Sequence, residues 1–249
     1  MYNLIKSEIF KNKTNYGFLL MITFPVIISL FVTILSLVNI NSIIPTNLNP
    51  WVFILGRYIL NIYSLLYPII IAIFVHSVFD IERKNNNFKL LLTMPISRIN
   101  IFVVKIIYLI LVLYISIFTS YLFFYISGYT LHFIEADFCF TKFNSNYIII
   151  LYFSKLLASL TIIILIQFLL SLIFKSFVFP VSFCSFITLL SIMFHKNEWV
   201  EIIPYNFPHM CLCDFISGSR NISIFNLVNL MYIMIVVITC NMLIKRISV

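Results

Sequence analysis

From Gly17 to Val38 no side chain carries a charge, and the run is long enough to cross a bilayer as a helix. A hydrocarbon core of roughly 30 Å takes about 20 apolar residues at the rise of an α-helix. Further apolar runs lie between Arg57 and Asp80, between Lys105 and Gly128, between Lys155 and Lys175, from Phe177 to Phe194 and from Ile222 to Ile244. The Phe177 run is the shortest and contains Pro180. None shows the period-two alternation of a barrel strand, and an open sheet edge facing lipid would leave backbone groups unpaired. The sequence therefore predicts an all-α integral membrane protein with six transmembrane helices, residues 1–249 forming a single transmembrane domain.

Hydrophobic residues make up 62% of the chain and charged ones 10%, against about 25% charged in an ordinary soluble domain. So few charges cannot cover the surface of a soluble protein this size, and lipid is the implied solvent. The formal charge is +8, from 16 Lys and Arg against 8 Asp and Glu. The basic residues sit between apolar runs, where they set orientation and meet anionic headgroups, so membrane lipid is an expected partner and nucleic acid is not. One side collects Lys6, Lys11, Lys13, Arg83, Lys84, Lys89, Arg98, Lys105, Lys175, Lys245 and Arg246; the other collects Arg57, Lys142, Lys155, Lys196 and Arg220. Eleven against five puts the first set, and both termini, in the cytoplasm. The first apolar run is too long for a signal-peptide core and no small-residue cleavage site follows it, so no cleaved leader is expected.

Three segments outside the spans stand out. The stretch Asp80 to Lys105 concentrates Asp80, Glu82, Arg83, Lys84, Lys89 and Arg98 in an otherwise nearly uncharged chain. Phe88, Leu91 and Leu92 fall on one face of a short helix, Pro95 ends it, and Ser97 suits the N-cap of the helix leading into span three. This is either an amphipathic cytoplasmic element with a task or an ordinary basic loop anchored by its apolar residues. The N-terminal MYNLIKSEIFKNKTNY places Tyr2, Ile5 and Ile9 on one face with Lys6, Lys11 and Lys13 opposite, the pattern of a helix lying in the interface plane. The outer segment from His195 to Asn221 carries Trp199, Pro204, Tyr205 and Pro208, and suggests short interfacial or re-entrant helices.

Signs of enzymatic chemistry are sparse, and no cofactor is expected. The glycines are Gly17, Gly56, Gly128 and Gly218, none followed by Lys, so no phosphate-cradling P-loop exists. No HExxH, paired transmembrane aspartates or nucleophile elbow appears. His76 reads as an interfacial or satisfied histidine, and Arg57 and Lys155 as side chains that reach the headgroups. Gln167, deep in span four, either bonds across helices or lines a pathway, and packing is favoured. His209, Cys211, Cys213 and Asp214 include metal-binding residue types without zinc-site spacing, so no metal is expected. A disulfide from Cys139 to Cys211 or Cys213 is left open.

The pattern Glu82-x6-Lys89-x-Leu91-Leu92-x-x-Pro95-Ile96-Ser97-Arg98-x6-Lys105 resembles the first intracellular segment of type-2 ABC exporter permeases. In that family the segment is a coupling helix packed against a separate ATP-binding subunit. The resemblance implies this role for Glu82, Arg83, Phe88, Lys89, Leu91, Leu92, Pro95, Ser97 and Arg98. The amphipathic N-terminus and an outer re-entrant segment between spans five and six are similar too, so the likeness covers the whole chain as one permease domain. Within the family the chain is similar to lantibiotic immunity and peptide-resistance permeases, whose outer segment often carries Pro-aromatic-x-x-Pro, here Pro204, Tyr205 and Pro208. Members often have Gly ahead of Lys-x-Leu-Leu; here Asn85, Asn86 and Asn87 stand there, and Asn tolerates left-handed backbone.

The resemblance implies a multi-pass subunit of a bacterial cell membrane, not itself an enzyme. Its implied partners are a separate ATPase, a second permease copy or related subunit, and an amphipathic peptide as cargo. A passive immunity or sensor protein, binding a peptide at its outer surface without an ATPase, is the alternative.

Overall fold

The computed structural model describes residues 2–38, 49–84, 98–134, 145–195 and 197–217, with Phe140, Phe143 and Met234. All regular structure among them is helical. In chain order the elements are α1 (Tyr2–Asn12), α2 (Tyr16–Val38), α3 (Pro50–Ile54), a π turn (Leu55–Ile59), α4 (Leu60–Arg83), α5 (Arg98–Ile134), α6 (Asn146–Ile173), α7 (Val178–Met193), two 3-10 turns (Glu198–Ile202 and Pro204–Asn206) and α8 (Phe207–Ser217).

Among the described residues, four helices are long and apolar enough to cross a membrane: Tyr16–Val38, Pro50–Arg83, Ile99–Ile134 and Asn146–Ile173. They match the first four expected spans. The expected fifth is α7, whose 16 residues extend about 24 Å at 1.5 Å per residue, less than a full hydrocarbon core. The expected sixth, apart from Met234, lies outside the described residues.

Boundaries move where local packing outweighs charge. Span two was expected to start at Arg57, but the helix begins at Pro50, capped by the Asn49 side chain accepting from the Trp51 amide. It continues through the π turn, where Arg57 is exposed with its guanidinium 6.0 Å from the Phe53 ring centroid. The Pro50–Arg83 rod is the hub, packing against α2, α6, α7 and α8. Its side chains join those of α2, α5, α6 and α7 in one apolar cluster.

Polar side chains pin this core where the backbone needs them. Pro25 lies inside α2 and has no amide to offer the Met21 carbonyl. Ser116 of α5 donates to that carbonyl at 2.7 Å. Tyr67 of α4 in turn bonds Ser116 at 3.0 Å and Ser120 at 2.9 Å, tying three helices together. Small polar residues at such crossings are the usual adhesive of helix packing in lipid. Outward faces are apolar instead: Ile27, Phe31 and Ile34 on α2, Phe118 on α5 and Phe186 on α7 are each at least half exposed. That distribution suits a lipid solvent and not water.

At the end of the bundle away from α1, Trp51 sits among Phe124, Tyr125, Tyr129 and Phe140, and its indole donates to the Phe140 carbonyl at 2.9 Å. A glycine makes the room. A Cβ on Gly128 would lie 2.3 Å from the Trp51 ring.

Candidate functional site

Two regions hold the residues singled out from the sequence. The first is the base of the 85–97 segment, at the end of the bundle where α1 lies. Phe88, Lys89, Leu91, Leu92, Pro95 and Ser97 lie outside the described residues. Arg98 opens α5, next to the expected cap position, and its side chain is not among those described.

Glu82, at the end of α4, is 1% exposed. One carboxylate oxygen accepts from Lys11 of α1 at 2.5 Å, and the other meets the equally buried Lys105 of α5 in an ionic contact. Glu8 of α1, 8% exposed, acts electrostatically on Lys105 as well. Two carboxylates and two ammoniums therefore share one pocket, and their near-neutral sum is what permits burial. The nearby Lys105 ammonium also lies 4.9 Å from the Phe79 ring centroid.

Arg83, the next residue, turns the other way. Its guanidinium donates to the carbonyls of Phe174 at 2.8 Å, of Leu172 at 3.3 Å and of Ser171, the unsatisfied last turn of α6. Lys84 pairs with Asp80 at 2.8 Å on the surface, and that hydrogen bond raises its pKa. Glu82 and Arg83 thus tie the end of α4 to α1, α5 and α6.

The sequence pattern predicts Lys11 on the polar, solvent face of the N-terminal helix. Instead its inward face carries Glu8, Lys11 and Asn12, while Ile9 and Phe10 are exposed, 48% and 69%. Ion pairing inside the bundle outweighs hydration of Lys11, and the apolar residues turn outward. Asn12 donates to Glu8, and Asn15 caps α2 by accepting from the Gly17 amide at 3.0 Å.

The second region is the segment after α7. Trp199 is 58% exposed, but Pro204, Tyr205 and Pro208 are buried. Gln167 of α6 donates to the Tyr205 hydroxyl at 2.8 Å, and the Gln167 Oε1 has no partner among the described residues. The structure thus brings together two side chains that the sequence put in separate roles. Phe207 and Cys211 pack on Ile162, Asp214 accepts from Lys155 at 3.0 Å, and Phe215 meets the Tyr152 ring at 4.2 Å between centroids. The segment runs antiparallel along α6. Gln167 lies roughly 30 Å along that helix from Asn146 at 1.5 Å per residue, so the Tyr205 contact is set far down the helix and not at its end.

Lys155 was expected to reach headgroups. It is 9% exposed and committed to Asp214, because α8 covers the face it would have used. Gly56, in the π turn, admits α8: a Cβ there would come 2.7 Å from the Phe215 ring. His76 is buried at 1%, its ring edge-on to Phe177, and its Nδ1 has no partner among the described residues. Cys184, Cys211 and Cys213 are thiols, and Cys139 lies outside the described residues. Among the described residues no three His, Cys, Asp or Glu side chains converge as a metal site would need.

Sequence reasoning missed Lys105, Glu8 and Lys155 as buried partners. The available signal was a cation interrupting an apolar run, FVVKIIYL or YFSKLLAS, which marks a paired charge more often than a free one.

No match was found among curated proteins or among solved structures. The family of ABC-2 family transporter proteins, however, matches residues 4–191, from α1 to near the end of α7 and including the whole 85–97 segment and its buried base. This chain, helical throughout its described regular structure and with several helices long and apolar enough to cross a membrane, belongs to the ABC-2 transporter family.

Proposed function

We propose that the chain is the transmembrane subunit of an ATP-driven exporter whose motor is a separate ATP-binding polypeptide. Membership of the family implies an ATP-binding partner in general, and the chain has no P-loop of its own. The observation that carries the reading is the buried base of the 85–97 segment. A loop that takes a push from a soluble partner must transmit it, and Glu82 and Arg83, at the end of the helix that precedes the loop, are tied to α1, α5 and α6. Phe88, Leu91, Leu92 and Pro95 would form the helix the ATPase contacts, in a cytoplasmic loop of a bacterial cell membrane protein with both termini inside.

The cargo proposed is an amphipathic, lantibiotic-like peptide, expelled to give immunity. The segment from Trp199 to Asp214 is re-entrant in this reading, with irregular backbone tolerated at membrane depth because it is covered by protein. The permease works as a pair, with a second copy or a related subunit, and carries out no catalysis itself.

The test is a mild-detergent pull-down of the tagged chain from native membranes, followed by ATP-dependent peptide transport in inverted vesicles. A stoichiometric ATPase that is released by Arg98→Glu, with insertion intact, supports the reading. A chain that confers resistance without any nucleotide-binding partner is instead the passive peptide binder, and the exporter assignment fails.

A further inference from the structure

A cavity of about 530 Å³ opens at the α1 end of the bundle, between the α1–α2 junction, α4 and the turn joining α6 to α7. This volume falls within the usual range of ligand sites. Three ammonium groups line it: Lys11, Lys84 and Lys175. Asp80 is the carboxylate on its wall, and it is held by Lys84; Lys11 is held by Glu82. Lys175 has no ion pair among the described residues. Among the described residues, the lining charge sums to a positive value.

Behind these cations His76 also lines the cavity. It is 1% exposed, and its Nδ1 is unpartnered among the described residues. A buried imidazole nitrogen without a partner costs free energy unless something supplies one. The mouth is apolar and open. Tyr16 is 88% exposed, Phe177 47% and Leu20 37%, on the outward faces that the bundle presents to lipid. Cations and a hydrogen-bonding ring at the floor, with apolar side chains at a lipid-facing mouth, match a group that is anionic at one end and aliphatic at the other. Basic pockets between membrane helices recognise phospholipid headgroups by this combination.

We propose that this cavity binds the phosphate of an anionic phospholipid, with Lys84 and Lys175 as its counter-charges, His76 as a hydrogen-bond donor and the acyl chains leaving past Tyr16 and Phe177. The bound lipid wedges α1 and α2 against α4 beside the Glu82 ion cluster. Its leaflet is the cytoplasmic one, a point that rests on the proposed orientation; binding itself does not, so its failure would leave the export reading untouched.

The full chain, delipidated in detergent, is titrated with phosphatidylglycerol and, separately, phosphatidylcholine, and adducts are counted by native mass spectrometry. Inorganic phosphate serves as the competitor. A one-to-one phosphatidylglycerol adduct is expected, about tenfold tighter than phosphatidylcholine. The double variant K84Q/K175Q weakens it by about tenfold or more, while K84R/K175R retains it, given about fivefold per lysine near an anionic headgroup. Both lysines are exposed, so loss of fold does not confuse the result, and unchanged melting of each variant checks this. Equal retention of the two lipids, or of phosphatidylglycerol by wild type and K84Q/K175Q, overturns the proposal. Displacement of the lipid by millimolar phosphate makes this a free-anion site and overturns it equally.

Discussion

Glu82 and Lys105, separated in sequence by the whole 85–97 segment, meet as an ion pair in which each side chain is 1% exposed. The two helices flanking the segment are therefore joined at its root, and the pair is completed from outside by Lys11 of the N-terminal helix. Removing one member leaves the others buried and uncompensated. Glu82→Ala should destabilise the detergent-solubilised protein by about 3–5 kcal/mol. The double variant Glu82→Gln with Lys105→Met, which removes both charges, should recover most of the melting temperature. If the double variant melts no higher than Glu82→Ala, the pair is not the source of the loss.

Coupling and folding can be separated at the same place. Glu82→Gln with Lys105→Met keeps the root packed but removes its ionic link, so transport should fall while melting is near wild type. Arg98→Glu should abolish transport without affecting membrane insertion. Wild-type peptide export by both would sink the coupling assignment.

How far the sequence could be read depended on the kind of force at each position. Helix positions followed from run length and charge alone, because a bilayer leaves few alternatives: Gly17–Val38 and the run between Lys155 and Lys175 reappear as α2 and α6. Ends were harder. Counting Arg57 and Lys155 as boundary cations assumes that every cation seeks water, yet Lys155 is held by Asp214 and the helix passes Arg57 through a π turn. The Lys155–Asp214 pair joins residues 59 apart in sequence, a relationship that no local pattern contains. The same holds for Gln167. Its depth in the span was legible, but its partner Tyr205 lies beyond a whole helix, in the second of two 3-10 turns.

The Gln167–Tyr205 hydrogen bond should be measurable as a coupling energy. Tyr205→Phe strands the Gln167 amide, and Gln167→Leu strands the hydroxyl. The coupling energy between them should be about 0.6 kcal/mol, the average for such bonds between membrane helices, and at most about 1.7 kcal/mol. The double variant should cost less than the sum of the singles. Strict additivity in the thermodynamic cycle would mean that the two groups do not interact.

Trp51 provides an optical test of the far end. The chain has two tryptophans, and Trp199 is exposed, so a Trp199→Phe background reports on Trp51 alone. Gly128→Ala places a methyl group where the indole lies, and overpacking of this kind costs about 1–3 kcal/mol. The emission should shift to the red as the ring leaves its aromatic cage. An unchanged spectrum and melting curve would show that the ring does not pack on Gly128.

Pro25 and Ser116 offer a test of how proline is accommodated within a membrane helix. The Met21 carbonyl loses its amide partner to Pro25 and regains a donor from Ser116. Ser116→Ala should therefore destabilise by about 1–3 kcal/mol in the native background, as an unsatisfied buried carbonyl does. It should cost much less beside Pro25→Ala, which restores the backbone donor to the same oxygen. Because Tyr67 also bonds Ser116, part of the loss should persist in the double variant and vanish only when Tyr67→Phe is added. A full and equal cost of Ser116→Ala in both backgrounds would assign its role to Tyr67 alone and not to the carbonyl that the proline exposes.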